Sequence, residues 1–337
     1  MPSHATPTSL KSIPLFADLD ESKLEDFQRI FQFVSFLPGT CLMTQGHVAD
    51  SIFFLESGAV EVVVMLPGGG EKVISTLGPG SVIGEMALLD EFGTRTATVR
   101  ALTTTSGFLV ERQDCRTLLM QAQPPTFTVQ RRITMSLCQR LRELLTLVMS
   151  FYPSNDLSST LASVVLDPLS HSVRHKELPT AYRKVLQQLP FFQRYRADEV
   201  EYVLEQAAVL TVPRGHVLFQ RGDVGQASYI IVRGAVELVS NTASSYSLAV
   251  LGPGRLCGHL ALIDGVPHET TAVARSSTVL LELPSSSFQE LFTASTGPAA
   301  KFQNTILQSL LTLQAKVDNH LARMISQASI RTQRSSQ

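Results

Sequence analysis

The sequence predicts a mainly β protein with α: two tandem antiparallel β-rolls of jelly-roll-like type, each flanked by helices. Three observations carry that expectation. Short apolar runs between Phe33 and Glu111 are punctuated by turn residues at Pro38-Gly39, Gln45-Gly46, Ser57-Gly58, Pro67 to Gly70, Gly78 to Gly80 and Glu91 to Thr94. Many short strands with glycine at the corners fit a small roll or sandwich. From about Cys115 the apolar period becomes that of a helix. The pattern then starts again: Pro14, Gly39, Gly46 and Gly58 recur as Pro190, Gly215, Gly222 and Gly234 at a constant offset of 176 residues, the mark of a duplicated unit.

Bulk composition narrows the classes. A chain of 337 residues, 44% hydrophobic, has room for about two packed domains. Its net charge of −1 and pI near 6.7 give no global field for nucleic acid or acidic lipid. The start lacks a secretory pattern and no run approaches the roughly 18 apolar residues of a membrane helix, so a cytoplasmic, membrane-free protein is expected. Cys41, Cys115, Cys138 and Cys257 are scattered singly, as reduced thiols would be.

Taken in order, residues 1–12 read as a short tail and 13–151 as the first domain. Leu24, Phe27, Ile30 and Phe31 stand at helix spacing behind Asp20, a capping residue, to cover one end of the roll. Strands are expected at 51–55, 60–65, 73–76 and 107–111. A helix at 115–122 is followed, after Pro124-Pro125, by a long one reaching about Phe151. Its stripe of Ile133, Leu137, Leu144, Val148 and Phe151, widened by Leu141, Leu145 and Leu147, could cap a ligand or meet a second copy of the chain. Arg131-Arg132-Ile133-Thr134, at mid-helix, reads as a solvated charged face. Residues 152–180, rich in serine, proline and histidine, read as a linker with one short helix within 157–169. The second domain, 181–326, ends in a helix with Ile306, Leu310, Leu313, Val317 and Met324 in register, His320 and Leu321 beside them, before a tail at 327–337. The offset falls to 174 at Gly252 and Gly258, which implies a shorter hairpin in the second copy.

The chemistry concentrates between Gly78 and Val99. Gly78-Pro79-Gly80 ends a strand, Gly84-Glu85-Met86-Ala87-Leu88-Leu89 has the composition of one helical turn, and Arg95-Thr96-Ala97-Thr98-Val99 begins the next strand. Glu85 can accept from a ribose hydroxyl, and Arg95 can clamp phosphate oxygens. A carboxylate and a guanidinium so spaced suit a cyclic nucleotide. The run from Gly84 through Ala97 resembles the phosphate-binding cassette of the cyclic nucleotide-binding domains, the family of bacterial cyclic AMP receptor proteins, protein kinase A regulatory subunits and gated channels. The resemblance implies that Glu85 holds the ribose 2′-hydroxyl, Arg95 neutralises the phosphate, and Gly84, Met86 and Ala87 line the site. Thr96 would touch phosphate or a guanine edge, and Leu144 would cap the base. Val73 completes the expected ligand-binding set. The choice between cyclic AMP and cyclic GMP stays open.

The second cassette departs from that pattern. Counted from Gly258, the glutamate position holds His259 and the arginine position Glu269, with His268 adjacent. A carboxylate where phosphate should dock is repulsive, so no cyclic nucleotide is expected there in the usual pose. Pairing of His259 with Glu269 is expected instead, in either a retained fold or a site for another ligand.

The function expected is that of a non-enzymatic cyclic AMP or cyclic GMP sensor, with no cofactor besides that ligand, signalling by conformational change to a protein partner. Homodimerisation is expected through helices 133–151 and/or 306–324. The alternative is a dimeric scaffold whose relic folds bind no nucleotide. No nucleophile, metal cluster or pair of acids stands at working spacing for an enzyme, and His47, His171 and His175 sit alone. The residues after 326 are too few for a DNA-reading helix-turn-helix, so direct DNA binding is not expected. The amino-terminal tail is too short for the docking helices of kinase regulatory subunits and carries no pseudosubstrate, so a kinase partner does not follow.

Overall fold

Strands form where β-branched and aromatic residues alternate between turn glycines. A computed structural model describes residues 9–17, 19, 21–65, 70–88, 93–120, 124–150, 172–175, 178–240 and 247–335. Its first roll comprises β1 (Phe31–Phe36), β2 (Cys41–Met43), β3 (Ser51–Ser57), β4 (Val60–Met65), β5 (Glu71–Leu77), β6 (Val82–Ile83), β7 (Thr98–Ala101) and β8 (Thr105–Glu111). All pair antiparallel, in two sheets ordered β1-β8-β3-β6 and β2-β7-β4-β5. Met43, Phe53, Leu55, Val60, Val62, Leu77, Ile83 and Val99 fill the interior. The corner between β3 and β4 needs glycine: Gly58 has φ +89°, and a Cβ there would lie 2.4 Å from the Thr104 carbonyl oxygen.

Helices α1 (Glu21–Gln28), α2 (Arg112–Met120) and α3 (Pro124–Ser150) flank this roll. The helix expected through Phe31 stops at Gln28. Phe31 instead opens β1 opposite Val110, its ring 5.4 Å from Phe16 and 5.2 Å from Phe54. Nor is Thr134 on a solvated face: it is fully buried and donates to the Gln130 carbonyl at 2.8 Å, while Arg132 donates to the carbonyls of Pro14 and Leu15.

The second roll repeats the order. It comprises β9 (Val173–His175), α4 (Thr180–Leu186), α5 (Ala197–Glu205), β10 (Ala208–Val212), β11 (Val217–Phe219), β12 (Ala227–Arg233), β13 (Val236–Val239), β14 (Ser247–Leu251), β15 (Leu256–Cys257), α6 (His259–Asp264), β16 (Thr271–Ala274), β17 (Thr278–Pro284), α7 (Ser285–Thr293) and α8 (Gly297–Ser335). Its sheets run β9-β10-β17-β12-β15 and β11-β16-β13-β14, the first roll's order with β9 added at an edge. That strand lies in the expected linker, pairing His175 with Val209; the short helix expected at 157–169 falls outside the described residues. The strands β13 and β14 have 4 and 5 residues against 6 and 7 in β4 and β5, although the segment joining them is the longer one. The last helix continues through most of the expected tail, to Ser335.

By packing, the chain divides into one unit of Met1–Leu137 with Leu310–Gln337 and another of Cys138–Ser309. The division cuts both long helices, whereas the repeat alone suggests 13–151 and 181–326. Along the expected stripes Ile133, Leu137, Leu141, Leu144, Leu145, Val148, Ile306, Leu310, Val317 and Leu321 are buried within the chain itself. Among the described residues no helix is long and apolar enough to cross a membrane.

Candidate functional site

The backbone places the two charged residues before their side chains meet anything. After β6 the chain turns at Gly84, φ +79°, into a single 3-10 turn, Glu85–Leu88. The Ala87 N–H donates to the Gly84 carbonyl at 2.9 Å, so this amide is used inside the turn. Met86 and Ala87 are buried. Arg95 precedes β7 instead of lying on it. Its N–H donates to the His47 carbonyl at 2.8 Å, and its carbonyl accepts from the Gly46 N–H at 2.9 Å, which ties it to the turn before β3.

The Arg95 guanidinium is buried, and its Nη2 donates to Asp50 Oδ1 at 3.1 Å and Ser51 Oγ at 2.9 Å. Its Nη1 is buried with no partner. A Cβ added to Gly84 would stand 2.6 Å from that nitrogen, so glycine lets the guanidinium lie against the backbone one residue before Glu85. Burial pulls the guanidinium's pKa below its ordinary value, while Asp50 and Glu85 pull it back; it stays a cation at neutral pH. The Glu85 carboxylate is 2% exposed, and its Oε1 accepts from Gln314 Nε2 at 2.9 Å. Arg95 and Glu85 thus feel each other's charge while the guanidinium spends its hydrogen bonds on Asp50 and Ser51.

Of the residues expected here, Gly84, Glu85, Met86, Ala87 and Arg95 gather around the turn, with Thr96 half-buried beside Arg95. Two are placed elsewhere. Val73 is 47% exposed; its neighbour Ile74 packs on the interior cluster, and strand alternation turns Val73 outward. Leu144 is buried in the other packing unit, because the second half of α3 packs there. Sequence reasoning missed Asp50, Ser51 and Gln314. Only Gln314 left a signal, as a polar residue in the apolar stripe of α8.

The second cassette is arranged differently. His259 is 2% exposed with both ring nitrogens lacking partners; burial, then the neighbouring His268, pushes its pKa down to about 4. His268, also pushed down to about 4 by burial, stacks on Phe219 with centroids 3.8 Å apart. The expected pairing of His259 with Glu269 is not made. Glu269 instead lies 3.5 Å from Arg142 Nη1. Arg142, on α3, donates to Asp264 Oδ2 at 2.5 Å and Oδ1 at 2.9 Å, and to the carbonyls of Pro267 and Val266 at 2.9 and 3.0 Å. An acidic loop where an anion-binding residue would stand is thus satisfied by a cation from the chain itself. Among the described residues no three His, Cys, Asp or Glu side chains come together as a metal-binding group.

The family description "Cyclic nucleotide-binding domain" matches residues 33–122 and 209–295, more than half of the chain. The chain is 23% identical over 288 residues to the cAMP-dependent protein kinase regulatory subunit of Blastocladiella emersonii, covering 85% of this chain and 57% of that one. It is 35% identical over 96 residues to the cyclic AMP receptor protein of Thermus thermophilus, covering 28% of this chain and 44% of that one. Among solved structures, the regulatory domain of Toxoplasma gondii PKA with cAMP aligns at 19% identity and TM-score 0.32, over 89% of this chain and 91% of that one. The chain spans about half the length of these curated relatives.

Proposed function

The chain belongs to the cyclic nucleotide-binding domain family, and from that premise we propose that it is a non-enzymatic sensor whose first roll binds cyclic AMP or cyclic GMP. The observation that carries this reading is the Arg95 Nη1, a buried donor with no partner beside Gly84 and Glu85. Leaving such a donor unsatisfied costs about 1–3 kcal/mol or more for a charged group, and a phosphodiester oxygen would satisfy it. Glu85 then receives the sugar hydroxyl, Gly84, Met86 and Ala87 line the turn, and Thr96 stands next to the phosphate. A ligand that favours one arrangement of these elements shifts the population toward it. The signal passes to a protein partner, a class suggested by the similar regulatory subunit. In the second roll Arg142 already occupies the acidic loop, which favours a structural role there.

Calorimetry on purified protein tests this. Arg95→Ala is expected to weaken binding of cyclic AMP or cyclic GMP by about 100-fold or more, and Glu269→Ala to leave it unchanged. Comparable losses in both variants would place the working site wrongly; no binding by the wild type to either nucleotide would overturn the sensor reading.

A further inference from the structure

We infer that Gln314 is a ligand-positioning residue of the first roll, holding the carboxylate that receives the sugar hydroxyl; this rests on reading that roll as a cyclic nucleotide site. Gln314 lies on α8 among Leu310, Leu311, Ala315 and Val317, all buried, and is itself 1% exposed. A carboxamide in such surroundings is retained at a cost unless its polar atoms are used. Its Nε2 is used, donating at 2.9 Å to Glu85 Oε1 across 229 residues of sequence. Its Oε1 is buried and has no partner.

Two features single this contact out from ordinary helix packing. A carboxylate accepts at about four positions on its two oxygens, and the bond from the Gln314 amide fixes one of them. The turn at Gly84 and Glu85 also brings together a donor and an acceptor that both lack partners: Arg95 Nη1 against Gly84, and Gln314 Oε1 on the amide that holds Glu85. Arg95 Nη1 then answers the anionic oxygen of a ligand, and Glu85, held by Gln314, answers its hydroxyl. The site so defined is completed by α8, outside the segment that the cassette motif covers.

The test compares two ligands on two full-length proteins. Wild type and Gln314→Met are titrated with the preferred cyclic nucleotide and with its 2′-deoxy analogue. Gln314→Met is expected to bind the parent nucleotide about tenfold more weakly, while the 2′-deoxy analogue binds both proteins alike, since the hydroxyl through which Gln314 acts is missing. Should Gln314→Met fail to fold, Gln314→Asn, whose shorter amide cannot reach Glu85, serves in the same comparison. An equal loss for both ligands would reduce Gln314 to a packing residue. Unchanged or tighter binding of the parent nucleotide would overturn the inference, tighter binding meaning that the amide competes with the sugar. If the wild type binds neither cyclic AMP nor cyclic GMP, the functional reading falls first and the role of Gln314 with it.

Discussion

At the position where the first cassette keeps Glu85, bonded to Gln314, the second keeps His259 with both ring nitrogens buried and unpaired. A histidine whose folded pKa is about 4 is neutral in both states above its ordinary pKa. Below that value the unfolded chain takes up the proton first. Stability therefore falls as pH drops from about 6.5 toward 4, by up to about 3 kcal/mol for His259. His259→Phe is expected to flatten this part of the urea-midpoint profile, leaving the share due to His268; a variant with the wild-type slope would show that the ring is not held neutral. In the first cassette, Gly84→Ala would press a Cβ onto Arg95 Nη1 at 2.6 Å in a backbone conformation with positive φ. Nucleotide affinity is expected to drop by at least tenfold; unchanged affinity by titration would separate the guanidinium from the site. That Glu85 and Arg95 meet at the Gly84 turn was readable in the sequence, because both lie within a dozen residues of that glycine in the run that resembles the cassette. Gln314 stood out only as a polar residue in an apolar stripe; its partner was not readable, since the bond to Glu85 spans 229 residues.

The long helix α3 shows how far periodicity reaches at the scale of an element. Its apolar stripe was visible, but two uses fitted the same spacing, and only packing separates them. The polar residues on it decide what it does: Arg142 grips Asp264 through two nitrogens, and the Cys138 thiol donates to Asp264 Oδ2 at 3.3 Å. Burial works against the charged forms of both partners, yet the pair prevails, raising the pKa of Arg142 and lowering that of Asp264. Arg142→Met leaves the partly buried Asp264 carboxylate without its cation and is expected to cost about 3 kcal/mol, much of it recovered by adding Asp264→Asn; urea unfolding of the three variants checks this, and simple additivity would contradict it. The boundary of α1 was misread because Phe27, Ile30 and Phe31 continue a helical spacing by coincidence into β1. The strands β1, β2, β6 and β9 escaped the sequence reading: β2 and β6 have three and two residues, β1 starts inside the spacing that reads as helix, and β9 lies in a stretch whose composition reads as linker.

Across the whole molecule, the fold is duplicated while the chemistry is not. Both rolls have the same strand order apart from β9, and the glycines that mark their corners, such as Gly58 and Gly234, take positive φ in each copy. This architecture was legible because a repeat at constant offset cannot be mimicked by local composition. The asymmetry was legible in part: the loss of the usual charged pair at His259 and Glu269 was plain, while the α3 cation beside Glu269 and the burial of an unpaired His259 were not. The proposed function therefore has one working site per chain. A calorimetric titration with cyclic AMP and cyclic GMP measures it most directly: one nucleotide bound per chain by the wild type, none by Arg95→Ala at the same concentrations, and still one by Glu269→Ala. Two nucleotides per chain, or binding that survives Arg95→Ala, would contradict it.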